Sequence, residues 1–486
     1  MNKIFTVTNS SGWIKGTLLS LLGIAAAVLA ALLYIGIPQN AAGMAAKGIC
    51  SAAFIAGRPT ANLLADDVLP ASAVLKLISV EVDEANRAVS AKFAGMFWRR
   101  AVLLPNRGCV LDVFAAYPVT TAAPRPDPKS AASNSPWPTG DIPLAPSGWG
   151  PGVDAIALQK VIDQAFVGAG DPQAANARGL AIVYKSRLLA LKTAPGFSAQ
   201  TPLHGWSMTK TITGMLMHKL SDETQLSIDS SVVEAFPAEY PPAWVTQWRA
   251  DDRKTIKVSD LLYMRDGLAN TEDYQPWGSV PKMLWGKPDA AAFAAASPLE
   301  AAPGTRWRYL SQSANLLSAV ARGRFENDQD YWAYPAKALF TPIGATTAVL
   351  ETDTSGTWVG SSYLWASVGD WARLGQLMLQ DGRWGGAKDV EVLPPGWLKR
   401  AKTQSTTNGA GRGYGAQSWL YGNPYEGTCK NRGIPEDTLA MGGHWGQVVA
   451  MIPSRELVIV RLGWTFDKQQ FDNCRLIADV VKALAQ

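Results

Sequence analysis

The sequence predicts an α+β fold in which the two ends of the main domain build one antiparallel sheet, with helices packed on it and inserted between its halves. Three observations predict it. Leu180-Ala181-Ile182-Val183-Tyr184 is a short apolar run, followed by a partner around Leu188 to Leu191. Near the other end, Val448-Val449-Ala450-Met451-Ile452 meets a Pro453-Ser454-Arg455-Glu456 turn and a second run from Leu457 to Leu462. The stretch between is mostly helical and loop-like, and a last helix is predicted from about Asp472 to Ala485.

The elements before that domain follow in order. The chain has 486 residues, enough for one large domain with accessories, and its apolar fraction of 47% allows a sizeable core. Residues 1–16 carry Lys3 and Lys15, and Thr17 to Ile37 is uncharged and rich in Leu, Ala and Ile. That run matches the ~20 residues of a bilayer-spanning helix and exceeds the ~7–15 of a signal-peptide core. The positive-inside rule keeps residues 1–16 cytoplasmic and sends the rest into a bacterial periplasm as a single-pass inner-membrane protein. Ala41 and Ala42 supply a small-residue cleavage site, so secretion after cleavage is the alternative.

Residues 48–116 read as a small unit with a strand around Ile78 to Val82, and residues 117–152 as a Pro/Ala/Ser-rich linker, extended or wrapped on the surface. The main domain occupies residues 153–486 and opens with a helix over Val153 to Phe166. The net charge of +5 is spread along the chain, without the Lys/Arg block that tracks nucleic acid. The four cysteines lack metal-ligand spacing, so no zinc site is expected. Four cysteines allow three connectivities, and of these export favours two disulfides each within its own region, Cys50 with Cys109 and Cys429 with Cys474.

The chemistry begins at Ser207-Met208-Thr209-Lys210, an S-x-x-K. Residues three apart share a helix face, so the lysine amine reaches the serine hydroxyl. A serine needs a base to become a nucleophile, and a desolvated lysine is one. Met208, Ile212, Met215 and Leu216 form an apolar stripe that leaves Ser207, Lys210, Thr211 and Gly214 on another side. A second copy, Ser279-Val280-Pro281-Lys282, runs into Gly286-Lys287-Pro288 with no long helix behind it and reads as a decoy.

Two further segments follow in order: Tyr309-Leu310-Ser311 before a helical run from Ser313 to Arg322, and Gly443-His444-Trp445-Gly446-Gln447 leading into the strand at Val448. The ordered set resembles the class C β-lactamase and penicillin-binding protein superfamily. More narrowly it resembles family VIII carboxylesterases and 6-aminohexanoate-dimer hydrolases, with further likeness at Val258 to Leu262, Met264 to Leu268, Glu272-Asp273-Tyr274 and Ser367 to Gly375. The resemblance covers residues from about Val153 onward. It implies a β-lactamase/transpeptidase-like fold and a serine hydrolase working through an acyl-enzyme on a small amide or ester, without a cofactor.

Residue by residue, the resemblance implies Ser207 as nucleophile, Lys210 as its base and Tyr309 as the group that relays a proton to the leaving group, with Ser311 holding the network. It implies an oxyanion hole from the backbone N–H groups of Ser207 and Gln447, beside a Gly446 that lets substrate approach closely. His444 stands where classical β-lactamases carry a lysine, and Trp445 replaces a small hydroxylated residue. A neutral imidazole offers no permanent cation to a substrate carboxylate, which argues against efficient β-lactam turnover.

Of the nineteen tryptophans, Trp206 and Trp445 are the two expected near substrate. Tyr363 is either an additional active-site tyrosine or an ordinary loop residue. His204 and His218 read as structural. The rival readings are a Ser-His hydrolase with His444 as base, a D,D-peptidase acting on peptidoglycan, and an inactive membrane-tethered binding protein. The first lacks a G-x-S-x-G elbow at Ser207.

Overall fold

A computed structural model describes residues 35–112, 135–171, 173–239, 241–385, 390–405 and 410–484, together with residues 19, 20 and 23. Most of the predicted span over residues 17–37, and all of residues 1–16, lie outside the described residues. Among the described residues no helix is long and apolar enough to cross a membrane.

The first long helix, α1 (Ile37–Phe54), starts well before the small unit that the sequence suggests. It packs on an antiparallel sheet of four strands in sequential order, β1 (Ile78–Asp83), β2 (Ala88–Phe93), β3 (Phe97–Leu104) and β4 (Gly108–Asp112). The Cys50–Cys109 disulfide joins α1 to β4. The other side of α1 lies against the main domain. There Gly43 backs so closely on Trp285 that a side chain would clash with its carbonyl, and buried Lys47 pairs with Glu351 at 2.6 Å.

Residues 117–134 of the predicted linker lie outside the described residues, and residues 135–152 wrap the surface. The Leu144 N–H donates to the Leu188 carbonyl, the Trp149 indole N–H to that of Leu189, and Arg373 binds both Asp141 and the Gly140 carbonyl. Short turns within the segment pair some of its backbone groups, such as the Gly140 N–H with the Pro136 carbonyl, and the domain beneath supplies further partners.

The main domain is built as the sequence predicts, from its two ends. After α2 (Ala155–Gln164) come β5 (Ala177–Tyr184) and β6 (Arg187–Thr193). The middle holds α3 (Thr209–Glu223), α4 (Ser311–Arg322) and α5 (Val368–Leu379). The C-terminal part gives β7 (Leu439–Gly443), β8 (Gln447–Ile452), β9 (Leu457–Gly463) and α6 (Asn473–Ala483), the last capped by the Asp472 side chain. The sheet order is β7-β8-β9-β5-β6, antiparallel throughout, so β9 and β5 close the two ends on each other. The Cys429–Cys474 disulfide fastens the start of α6.

Alternation along the strands explains the core. Leu180, Ile182, Val448, Ala450, Leu457 and Ile459 face α2 and α6, while Ala181, Val183, Val449, Met451, Val458 and Val460 face the cluster that includes α5. Both faces are covered, so these strands read as unbroken apolar runs. Gly375 lets α5 lie directly on Val449 and Val458.

Candidate active site

Ser207, the nucleophile expected from the sequence, is positioned by a tight entry into α3. Leu203–His204 pairs with Leu364–Ala366, the Gly205 N–H donates to the Leu364 carbonyl, and a side chain at 205 would strike the Trp371 ring. Trp206 then adopts a left-handed φ of 49°, which a bulky residue takes only where its surroundings compel it. A single turn over Trp206–Met208 follows, running into α3. The helix is buried on nearly every side, more than one apolar stripe explains. Its threonines meet carbonyls of neighbouring loops: Thr211 donates to Gln417 and Thr213 to Gly360.

Lys210 lies 2.8 Å from the Ser207 hydroxyl, one turn further along. Its amine also lies 3.0 Å from the Ser311 hydroxyl and 3.1 Å from the Ser361 carbonyl. The Ser311 hydroxyl donates to Glu272 at 2.7 Å, and the Ser311 backbone N–H donates to the other Glu272 oxygen at 2.6 Å. Ser311 therefore presents a lone pair to Lys210, and a carbonyl can only accept. These two acceptors take both N–H bonds of a neutral amine, leaving its lone pair for the proton of Ser207. Burial pushes the Lys210 pKa down to about 8, against a smaller upward pull from Glu272. The serine keeps 9% exposure and the lysine 1%, so substrate reaches the hydroxyl while water is kept from the amine.

Two tyrosines complete the polar cluster. Tyr309 and Tyr274 line the same cleft as Ser207 and Glu272, and both phenols lie close enough to Ser207 to interact with it electrostatically. Burial raises both phenols above their ordinary range, so each stays protonated at neutral pH. The Tyr309 ring lies 4.8 Å from the Lys210 amine and packs on Trp419 and Tyr414 at centroid distances of 4.9 and 5.7 Å.

The opposite wall is the turn between β7 and β8. His444 stacks on Tyr274 at 4.7 Å, with Trp206 and Trp445 on its other sides. Burial, with a smaller effect of Lys468, pushes its pKa down to about 4, so the imidazole is neutral across the physiological range. Trp445 and Gly446 are left-handed, at φ 57° and 84°. The Gly446 carbonyl accepts from buried Arg461 at 2.9 Å, and a side chain at 446 would strike that guanidinium. Glycine is thus required here by the turn and by Arg461, a reason different from the close substrate approach expected from the sequence. The Gln447 side chain bonds the His444, Trp445 and Gly463 carbonyls, so only its backbone is left to serve substrate. Together these groups line a cleft of about 630 Å³.

The Beta-lactamase family model matches residues 155–481. The chain belongs to the Beta-lactamase family. Among solved structures it is similar to a protein of Bacillus anthracis named as a 6-aminohexanoate-dimer hydrolase, with 17% identity over 68% of this chain and 80% of the other, at a TM-score of 0.51. A Bacteroides dorei protein named as a beta-lactamase shares 17% identity over 69% and 100% of the two chains, at a TM-score of 0.52. A family VIII carboxylesterase shares 14% identity over 69% and 98%, at a TM-score of 0.50. At such identities the likeness establishes the fold. No curated protein matches the chain.

Within this Beta-lactamase domain, Ser207, Tyr309, His444, Trp445, Gly446 and Gln447 line one cleft, and Lys210 and Ser311 lie directly beneath. Tyr363 is not brought to it. It lies in a layer behind Trp206, stacked at 5.0 Å on His204 and accepting from the Trp285 indole. His204 is fixed by the Ser362 carbonyl and Trp365, and His218 by the Pro394 carbonyl. In the second S-x-x-K, Ser279 bonds to Thr271 instead. The sequence alone does not single out Glu272, Tyr274 and Ser361 for the nucleophile's network, or Trp419 for the cleft. Glu272-Asp273-Tyr274 carries a signal in hindsight, an acid and a phenol on one loop. Ser361 contributes only a carbonyl, which leaves no trace in composition. Among the described residues, no group of three or more His, Cys, Asp and Glu side chains is arranged to hold a metal ion.

Proposed function

We propose that this Beta-lactamase family protein is a serine hydrolase that cleaves a small ester or amide through an acyl-enzyme. The Ser207 oxygen attacks the carbonyl carbon as its proton passes to the neutral amine of Lys210. Negative charge developing on the carbonyl oxygen is met by the backbone N–H groups of Ser207 and Gln447, each such donor contributing about 3–4 kcal/mol to transition-state stabilisation. Tyr309 protonates the leaving group as the tetrahedral intermediate collapses, and water then releases the acyl group by the reverse proton path. The observation that carries this reading is the hydrogen-bond count at Lys210: two fixed acceptors and one hydroxyl, with no carboxylate in contact.

The neutral His444 and the bulk of Trp445 favour an uncharged ester or amide over a β-lactam, whose carboxylate calls for a cation. The two disulfides favour an oxidising compartment, in keeping with export and anchoring through residues 17–37. The test is intact-mass detection of an acyl or phosphonate adduct across p-nitrophenyl esters, linear amides and penicillin, with Ser207→Ala as control. An adduct on the parent and none on the variant is the expected result. An unmodified parent with every reagent sinks the proposal, and nitrocefin turnover at the rate of a dedicated β-lactamase overturns the substrate class.

A further inference from the structure

A second cavity of about 370 Å³ adjoins the cleft that holds Ser207, and Tyr274, His444 and Trp445 line both. Its volume is within the ~300–1,000 Å³ range of pockets that hold small molecules. Its far wall comes from outside the segment that matches the Beta-lactamase family: Asn40, Ala41 and Met44 of α1, and the turn that carries Ala71 and Leu75. Trp206, next to the nucleophile, lines this cavity too. None of the lining residues is Asp, Glu, Lys or Arg, and the one histidine is His444.

We propose that this cavity is the acyl subsite, taking an uncharged apolar chain or ring on the carbonyl side of the substrate. The inference rests on the reading of Ser207 as nucleophile and Tyr309 as proton donor. A leaving group must lie on the side of Tyr309 to receive its proton, and Tyr309 lines the cleft but not the second cavity. The acyl part therefore extends the other way, past Trp206, Tyr274 and His444. Held between Met44, Leu75 and Trp285, an alkyl chain leaves water without stranding a charge. The unit formed by α1 and its sheet is on this view part of the specificity apparatus.

The experiment uses the full chain and p-nitrophenyl esters from acetate to octanoate, beside a series of acetates with growing alcohols. Acyl lengthening is expected to raise kcat/KM roughly two- to fourfold per methylene until the cavity is full. Ala71→Trp, at the half-buried rim, is expected to leave acetate turnover within about twofold and to abolish the gain with octanoate, while Met44→Ala moves the optimum to longer chains. An acyl profile that is flat in the parent, or a gain that follows the alcohol instead, overturns the proposal. Loss of acetate and octanoate turnover in equal proportion in Ala71→Trp does so too. Alkyl fluorophosphonates separate the two levels. No adduct on Ser207 from any ester or phosphonate sinks the hydrolase reading, whereas an adduct that forms at a rate indifferent to chain length sinks only the subsite.

Discussion

Two buried lysines, Lys47 and Lys210, are held in opposite ways. Lys47, on α1, is 2% exposed and meets the Glu351 carboxylate at 2.6 Å, with Ser51 donating to the same carboxylate. Lys210, on α3, is 1% exposed and meets two hydroxyls and a carbonyl. Burial lowers the pKa of both, but at Lys47 the touching carboxylate pulls back through charge and hydrogen bond, while at Lys210 the nearest acid, Glu272, pulls back through its charge alone and is hydrogen-bonded to Ser311 instead. A charge partner makes a buried amine a fastener, and neutral acceptors suit it to the role of base proposed for Lys210. The two are linked in space. Lys47 lies 4.3 Å from the Tyr363 ring centre, Tyr363 stacks on His204, and His204 packs on Trp206, which precedes Ser207.

Substituting each lysine by alanine breaks the comparison most sharply. Lys210→Ala is expected to lower kcat by about 10²–10⁴-fold with p-nitrophenyl esters, the usual worth of a positioned base. Because the neutral amine is the active form, activity of the parent should rise with pH through an inflection near 8, and the variant should lack it. A variant that keeps both the rate and the inflection would remove Lys210 from the mechanism. Lys47→Ala is expected to act on stability instead, by about 3–5 kcal/mol, because it strands the Glu351 carboxylate in the interior. Urea unfolding with the double variant Lys47→Met, Glu351→Leu checks the cause, since removing both charges should recover most of the loss. A double variant as unstable as the single one would show that the ion pair is not what matters there.

The same contrast separates what the sequence shows from what it hides. The sheet made from both ends of the domain is legible because its strands are covered on both faces and written as continuous apolar runs. Ser207 and Lys210 are legible because one helical turn links them, so spacing along the chain is distance in space. Glu272 and Ser361 are not, because they come from loops 62 and 151 residues beyond Lys210, Ser361 to meet its amine and Glu272 to hold Ser311. Lys47 is less legible still, since its partner is 304 residues distant and its helix looks like the tail of an apolar segment. Tyr363 reverses the lesson: a residue near the right motifs is taken up in the layer behind Trp206.

Glu272 sharpens the account at an intermediate scale. Its two oxygens accept from the Ser311 hydroxyl and the Ser311 backbone N–H. Glu272→Gln keeps the shape but has one oxygen, so one of those donors loses its acceptor at about 1–3 kcal/mol, roughly a ten- to hundredfold loss in kcat. The variant also removes the charge that holds the Lys210 pKa up. The inflection in the pH profile must therefore move to lower pH. A shift towards alkali would contradict the placement of Glu272 behind the base.

The smallest effect is expected at His444, and there its smallness is the test. If His444 were the base, its replacement would remove an inflection near its ordinary pKa of ~6.5 along with nearly all activity. The ring instead lies flat on Tyr274 among Trp206 and Trp445, with its pKa pushed down to about 4, and the Ser207 hydroxyl is hydrogen-bonded to Lys210. His444→Gln should then change kcat/KM by less than about tenfold, an effect of lost packing, and leave the pH profile between 5 and 8 unaltered. Loss of turnover by three orders of magnitude, with Lys210→Ala left active, would exchange the roles of the two residues.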